Sequence, residues 1–121
     1  MSYLSKRKKA FGYAGKGFWR MVCNEAHAQI HLVAAVVVIA VGIIVGLSAT
    51  EWCLVSLCIG SVFMAEAFNT AIEKLADRVS PDYDPLIGAA KDVAAGAVLI
   101  MAIASIVVGL IIFIPKIFFP S

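Results

Sequence analysis

The sequence predicts an all-α integral membrane protein in which an N-terminal amphipathic surface helix is followed by three transmembrane helices. Hydrophobic residues make up 62% of the 121 residues and charged residues only 15%, a balance far more apolar than that of soluble domains. Three apolar runs are each close to the length that a bilayer requires. Basic residues are concentrated near the N-terminus, where six of the ten precede the first apolar run: Lys6, Arg7, Lys8, Lys9, Lys16 and Arg20.

The first element is a helix predicted over about residues 5–27. Apolar side chains such as Phe11, Ala14 and Phe18 recur at three- and four-residue steps between basic ones. This periodicity is typical of a helix that lies in the headgroup layer with its apolar face down. Tyr13 and Trp19 are amphipathic aromatic residues that favour the same interfacial position. A solvated N-terminal arm is the alternative interpretation.

Three transmembrane spans are predicted at about residues 32–49, 52–77 and 93–114 of a single domain, 1–121. Thr50 and Glu51 form a short predicted turn between the first two spans. Residues 80–85 (SPDYDP) contain two prolines and are predicted to end the helix of the second span. Pro115 is predicted to end the third span. The three cysteines form no CxxC pair and are interpreted as apolar core residues.

The distribution of basic residues predicts an orientation. Besides the N-terminal group, Lys74, Arg78 and Lys91 flank the second loop, none lies in the first turn, and Lys116 alone follows the third span. Positively charged residues accumulate on the cytoplasmic side of membrane proteins. The N-terminus and the second loop are therefore expected to be cytoplasmic.

Polar residues form a stripe on the second predicted span. At 100° per residue they fall within an arc of about 100°, and they are Glu66, Asn69, Thr70, Glu73 and Asp77. Glu66 lies about 21 Å beyond Trp52 along a helix that crosses ~30 Å of hydrocarbon, and so about 9 Å inside the cytoplasmic boundary. A carboxylate at that depth is costly and is a functional candidate. The alternative is a structural residue that is protonated or hydrogen-bonded between helices.

Further charged residues are expected at the same end of the bundle: Glu25 before the first span, and Lys91 and Asp92 before the third. Gathered carboxylates repel one another unless a divalent cation or another positive charge joins them. The arrangement favours Mg²⁺-assisted phosphoryl transfer, in which positioning and charge neutralisation dominate. The depth of Glu66 in the membrane suits it to act as general base toward a lipid hydroxyl. Glu25 and Glu73, nearer to water, suit metal binding, and Lys91 suits phosphate binding. His27 and His31 are one helical turn apart, but they supply only two metal ligands.

Four short segments form an ordered set of motifs: residues 12–17 (GYAGKG), 24–25 (NE), 66–73 (EAFNTAIE) with Asp77, and 90–99 (AKDVAAGAVL). No single segment is specific, whereas the ordered set is highly specific. On these residues the chain resembles the prokaryotic diacylglycerol kinase family, which also contains undecaprenol kinases. The resemblance covers nearly the whole chain.

The resemblance implies a homotrimer in the bacterial inner (cytoplasmic) membrane, with active sites shared between neighbouring subunits. It implies transfer of phosphate from ATP with Mg²⁺ to diacylglycerol or undecaprenol, giving phosphatidic acid or undecaprenyl phosphate, and no nucleic-acid partner. By position, Glu66 is the catalytic base, while Glu25 and Glu73 bind the metal and the nucleotide phosphates. Asn69 and Ala95 are assigned to lipid positioning. The remaining nucleotide contacts are Lys6, Tyr13, Asp77, Asp82, Tyr83, Asp84, Lys91 and Asp92.

The chain departs from the family pattern at two of these positions. Lys6 stands about where some relatives have Arg, and Lys lacks the planar fork of the guanidinium group. Asp84 occupies a loop position where relatives can have His. The run at residues 94–98 (AAGAV) resembles the undecaprenol branch more than the diacylglycerol branch.

Two other functional classes are alternatives. A small proton-coupled transporter also needs an intramembrane carboxylate, but it is expected to have four spans with that carboxylate near mid-membrane. A non-catalytic membrane assembly subunit has no need for an acidic stripe that faces Lys91.

Overall fold

The structure is a computed structural model that describes residues 2–120, and within that range it consists of four helices. They are α1 (Tyr3–Asn24), α2 (Ala26–Val45), α3 (Ala49–Val79) and α4 (Pro85–Phe118). The last three helices are long and apolar enough to cross a membrane. The predicted fold class, a surface helix followed by three transmembrane helices, is confirmed.

A single residue separates α1 from α2. Glu25 is extended, with φ −108° and ψ 119°, although its N–H still donates to the Met21 carbonyl at 2.9 Å. The side chains of Asn24 and Gln29 donate to carbonyls at the end of α1. The prediction of one surface helix over residues 5–27 was therefore wrong at its end, because the break involves neither Pro nor Gly and has no signal in the sequence.

Helix α1 contacts the bundle through its C-terminal half. The rings of Phe18 and Phe63 on α3 meet edge to face with their centroids 5.7 Å apart, and Met21 is buried. Phe11 and Trp19 remain largely exposed. These exposed rings are apolar surface that an adjoining lipid layer can cover.

Small residues line the buried side of α2 at seven-residue intervals. Ala28, Ala35 and Gly42 are all buried. Residues of this size let helix backbones approach closely, which is how transmembrane helices commonly pack. A side chain at Gly42 has no room, because an added Cβ would lie 2.9 Å from both Leu47 Cδ1 and Trp52 Cη2.

Residues 46–48 form the tight turn between α2 and α3. Gly46 adopts a left-handed conformation with φ 76°, and the N–H groups of Gly46 and Leu47 both donate to the Gly42 carbonyl. Ser48 and Glu51 form a reciprocal capping box that begins α3. The predicted limit of the first span at residue 49 and the predicted turn at Thr50 and Glu51 were thus wrong, because Gly46 ends α2 and Ser48 caps α3.

Helix α4 continues through Pro115 to Phe118, so the prediction that Pro115 ends the third span was wrong. Proline removes one backbone donor, which transmembrane helices tolerate when nearby groups compensate. The Pro115 carbonyl still accepts from the Phe119 N–H, at 2.9 Å. Lys116 then lies 3.1 Å from a carboxylate oxygen of Glu51 and 3.4 Å from the Gly46 carbonyl oxygen, tying α4 to the turn.

The two ends of the bundle differ in chemistry. The end with residues 46–48, here called the turn end, has a small core of Leu47, Val55 and Ile112 and the ion pair Glu51–Lys116. The opposite end, here called the loop end, has residues 80–84 between α3 and α4, as predicted. Helices α3 and α4 are about 46 and 51 Å long, so they extend beyond ~30 Å of hydrocarbon.

Gly42→Ala is expected to destabilise the protein by about 1–3 kcal/mol, because the new methyl group forces the Leu47 and Trp52 side chains to move. Gly109→Ala is the matched control, since Gly109 also lies inside the bundle but has no atom within 4 Å of an added Cβ. The measurement is thermal unfolding of both variants in detergent micelles. Equal losses for the two variants would contradict the packing described for α2.

Candidate functional site

Glu66 is the buried polar centre of the loop-end half of the bundle. It lies on α3 and is only 3% exposed, and the chain around it is largely apolar. His31 on α2 is its nearest charged or chargeable partner, with 3.7 Å between Nε2 and a carboxylate oxygen. This distance is too long for a hydrogen bond but suits an ion pair when the imidazole is protonated. The structure therefore places a carboxylate and an imidazole together between two spans.

Asn69 and Thr70 extend this polar centre by one helical turn. Thr70 is buried, and the Oδ1 atom of Asn69 is buried without a hydrogen-bond partner within residues 2–120. Buried amide oxygens are normally paired, so an unpaired one marks a position where another molecule can donate. The predicted polar stripe is thus real, and its deepest members face the protein interior.

Glu25 and Lys74 connect the α1–α2 junction to α3. Their side chains lie 3.6 Å apart, and the Lys74 side chain is 61% exposed. An exposed pair of this kind contributes little to stability. Its structural effect is to bring the Glu25 carboxylate to the level of α3 where Glu73 also lies.

Asp77 and Lys91 form the corresponding connection between α3 and α4. Lys91 Nζ lies 2.5 Å from Asp77 Oδ1, which is the shortest charged contact in the described chain. In the adjoining loop, Asp84 accepts hydrogen bonds from two N–H groups and thereby caps α4. The ring of Tyr83 packs over Gly88 in the first turns of the same helix. The loop is therefore shaped by local contacts of two predicted nucleotide-binding residues.

The predicted site residues separate into three groups. Glu66 and Asn69 lie toward the interior on α3, whereas Asp77 and Lys91 join α3 to α4 nearer the loop and Glu25 contacts α3 through Lys74. Lys6 and Tyr13 do not join them, because they lie 19 and 12 residues before Glu25, about 28 and 18 Å along the axis of α1. The others are exposed at the loop end: Glu73, Asp82, Tyr83, Asp84, Asp92 and Ala95.

No group of three or more His, Cys, Asp or Glu side chains suited to a metal ion exists within residues 2–120. Magnesium does not require such a cage, since proteins usually hold it by one or two carboxylates together with substrate phosphates. Glu25 contacts Lys74, the residue that follows Glu73 on α3, so the chain offers two carboxylates near this part of α3. The donor set therefore fits Mg²⁺ bound jointly with a nucleotide and does not fit a resident metal held by protein alone.

Sequence reasoning missed the partners of two carboxylates. It treated His31 only as a weak metal ligand and Lys74 only as an indicator of orientation. His31 gave a usable signal, since it is the last strongly polar residue before a long apolar run. Its contact with Glu66 depends on the register of α2 against α3, which periodicity does not determine.

An apolar cavity of about 290 Å³ lies between α2, α3 and α4, directly beside this polar centre. His31 lines one part of it, and Val38, Val55 and Gly109 line the part toward the turn end. Ser105 Oγ is buried here without a hydrogen-bond partner in the described chain. The cavity is large enough for a segment of hydrocarbon chain with the carboxylate near its edge.

Comparison with known proteins agrees with this arrangement. Residues 12–113 match the family model described as prokaryotic diacylglycerol kinase. The chain is 43% identical to undecaprenol kinase from Bacillus subtilis over 93% of its own length and 92% of that protein. It is 32% identical to diacylglycerol kinase from Escherichia coli K12 over 82% and 81% of the two chains. With diacylglycerol kinase from Synechocystis it shares 35% identity over 88% of this chain and 61% of that one.

The family match spans most of the chain and includes every element of the polar centre described above, from the end of α1 through α4. Three apolar helices agree with a multi-pass protein of a bacterial membrane. The chain belongs to the prokaryotic diacylglycerol kinase family and is a membrane lipid kinase.

Proposed function

We propose that this protein transfers the γ-phosphoryl group of ATP, with Mg²⁺, to the hydroxyl of a membrane lipid at the cytoplasmic surface of the bacterial inner membrane. The product is undecaprenyl phosphate or phosphatidic acid. The observation that supports this most directly is the buried Glu66 carboxylate, which lies between an apolar cavity and a charged loop end. A lipid hydroxyl and a water-soluble nucleotide can meet only at such a boundary.

Glu66 acts as general base in this proposal. It removes the proton of the lipid hydroxyl while the oxygen attacks the γ-phosphorus and the bond to ADP breaks. Proton removal by a positioned carboxylate contributes typically 10²–10⁴-fold to a rate. The unpaired Asn69 Oδ1, one turn away, is available to accept a hydrogen bond from the lipid headgroup.

The nucleotide occupies the loop end. Lys91, held by Asp77, provides a positive charge for the phosphate chain. Glu25 and Glu73 would hold Mg²⁺ together with the phosphates, and the ion would neutralise charge that develops during transfer. Asp82, Tyr83, Asp84 and Asp92 surround the nucleotide at the same end of the bundle.

The lipid chain occupies the apolar cavity between α2, α3 and α4. Its lining is almost entirely aliphatic and aromatic, and His31 and Glu66 lie at the edge from which a headgroup must approach. Ala95, near the start of α4, completes the lipid side of the site. We favour undecaprenol as the acceptor because of the high identity to the Bacillus subtilis undecaprenol kinase over nearly the whole chain.

A homotrimer completes the site. Lys6 and Tyr13 lie too far along α1 to reach the carboxylates of their own subunit, about 28 and 18 Å from Glu25 along the helix axis. In a trimer with shared active sites they contact the nucleotide bound by a neighbour. The large apolar faces left exposed on α3 and α4 provide the surfaces for such packing.

Replacing Glu66 with Gln is expected to lower phosphate transfer at least about 100-fold, because the amide cannot take the hydroxyl proton. The measurement is transfer of radiolabelled phosphate from ATP with Mg²⁺ to undecaprenol and to diacylglycerol in mixed micelles. Undecaprenol is expected to be phosphorylated faster, and omission of Mg²⁺ is expected to stop transfer to either lipid.

Glu51→Gln is the matched control for that experiment, since it makes the same change at the turn end. Its transfer rate is expected to stay within about twofold of the wild type, because Glu51 lies far from the polar centre. A folded wild-type protein that phosphorylates neither lipid would disprove the proposed reaction.

Ala102→Phe is expected to raise the KM for lipid about tenfold and to leave the KM for ATP unchanged, because the ring fills part of the cavity. Ala104→Phe makes the same change on the exposed face of α4 and serves as control. Both constants are obtained from transfer rates at varied lipid and ATP concentrations. A shift in the KM for ATP alone would contradict the proposal that the cavity binds the lipid chain.

The orientation is testable by cysteine labelling in a variant whose native cysteines are replaced by alanine. A membrane-impermeant maleimide added to intact cells is expected to label Thr50→Cys at the turn end but not Ser5→Cys on α1. Inverted membrane vesicles are expected to give the opposite result, because the basic N-terminus is cytoplasmic. Labelling of Ser5→Cys in intact cells would show that the orientation is the opposite of the one proposed.

A further inference from the structure

The His31–Glu66 contact is the most deeply buried charged contact among the described residues. The two side chains are 19% and 4% exposed, whereas the side chains of the other three ion pairs are 24% to 67% exposed. Ionised groups buried in an apolar environment are stable only when they are paired. The contact is therefore the closest interaction with a possible cation that the described chain offers Glu66.

No lysine or arginine within residues 2–120 is in ion-pair contact with Glu66. Lys74 pairs with Glu25, Lys91 pairs with Asp77, and Lys116 pairs with Glu51 at the turn end. The other residues around His31 in the cavity are mainly apolar, among them Ala34, Phe63 and Ala102. On all three helices packed around this position, His31 is thus the one group able to supply a positive charge to Glu66.

We propose that His31 is a positioning residue, whose protonated imidazole pairs with Glu66 and keeps its carboxylate ionised and directed at the lipid hydroxyl. This inference rests on the proposed function of Glu66 as base. His31 Nε2 lies 3.7 Å from one carboxylate oxygen of Glu66, and in this proposal the second oxygen takes the substrate proton.

The protonation of His31 does not change during phosphate transfer in this proposal. The ionised Glu66 takes the hydroxyl proton as the new O–P bond forms and the bond to the ADP oxygen breaks. Glu66 is then a neutral acid beside an imidazolium, and its proton leaves to water after the products dissociate. His31 keeps its proton throughout and takes no part in the bonds that form and break.

The test compares His31→Gln with His27→Gln, which changes the exposed histidine one turn away on the same helix. His31→Gln is expected to lower kcat about tenfold or more while the KM values for ATP and lipid stay within about twofold. His31→Lys, which keeps a cation near Glu66, is expected to recover part of kcat. His27→Gln is expected to behave as wild type.

A double-mutant cycle separates positioning from a packing role. Glu66→Asp withdraws the carboxylate by one methylene, so adding His31→Gln to it is expected to cost much less than tenfold. A full additional loss in the Glu66→Asp protein, or wild-type kcat in His31→Gln, would overturn the proposal. Either result leaves the base function of Glu66 intact, because that function is tested by Glu66→Gln alone.

Infrared difference spectra give a readout independent of turnover. The wild-type spectrum minus that of Glu66→Gln is expected to contain the bands of an ionised carboxylate. The same difference in the His31→Gln background is expected to contain the band of a protonated carboxyl group. An ionised carboxylate in both backgrounds would overturn the ion pair, even in a preparation without transfer activity.

Discussion

The cost of keeping a carboxylate inside a bilayer is the constraint on which this structure depends. A charged side chain in hydrocarbon costs several kcal/mol or more, and proteins retain one only where it is paired or used. Glu66 is held deep on α3, with His31 on one side and an apolar cavity nearby. Toward the loop end the polar groups on α3 change from the buried Thr70 to the exposed Glu73 and Asp77. A gradient from hydrocarbon to water is thereby built along one face of one helix.

Three charged or chargeable side chains from outside α3 pair with residues of that helix. The α1–α2 junction supplies Glu25 to Lys74, α2 supplies His31 to Glu66, and α4 supplies Lys91 to Asp77. Exposed pairs contribute little free energy, but they fix which groups lie next to each other. The same helix thus organises the bundle and carries the proposed site of phosphate transfer, and loss of its register would affect both.

Composition and periodicity were sufficient to predict the number of helices, the loop at residues 80–84 and the polar stripe from Glu66 to Asp77. They did not predict the features that depend on contacts between helices. The break at Glu25 involves no Pro or Gly, and the continuation of α4 beyond Pro115 accompanies an ion pair with Glu51 from another helix. The partner of Glu66 could not be predicted for the same reason, since sequence patterns determine faces but not register.

The seven-residue series of small side chains on α2 affects more than packing. Ala28 and Ala35 lie three and four residues from His31, on the turns immediately before and after it. A methyl group is the largest side chain they present, so α2 can approach α3 closely at the level where the imidazole meets the carboxylate. Ala28 is fully buried, so a bulkier residue there would act as a spacer and lengthen the 3.7 Å contact. The separation of the two ionisable groups thus depends on an alanine that has no chemistry of its own.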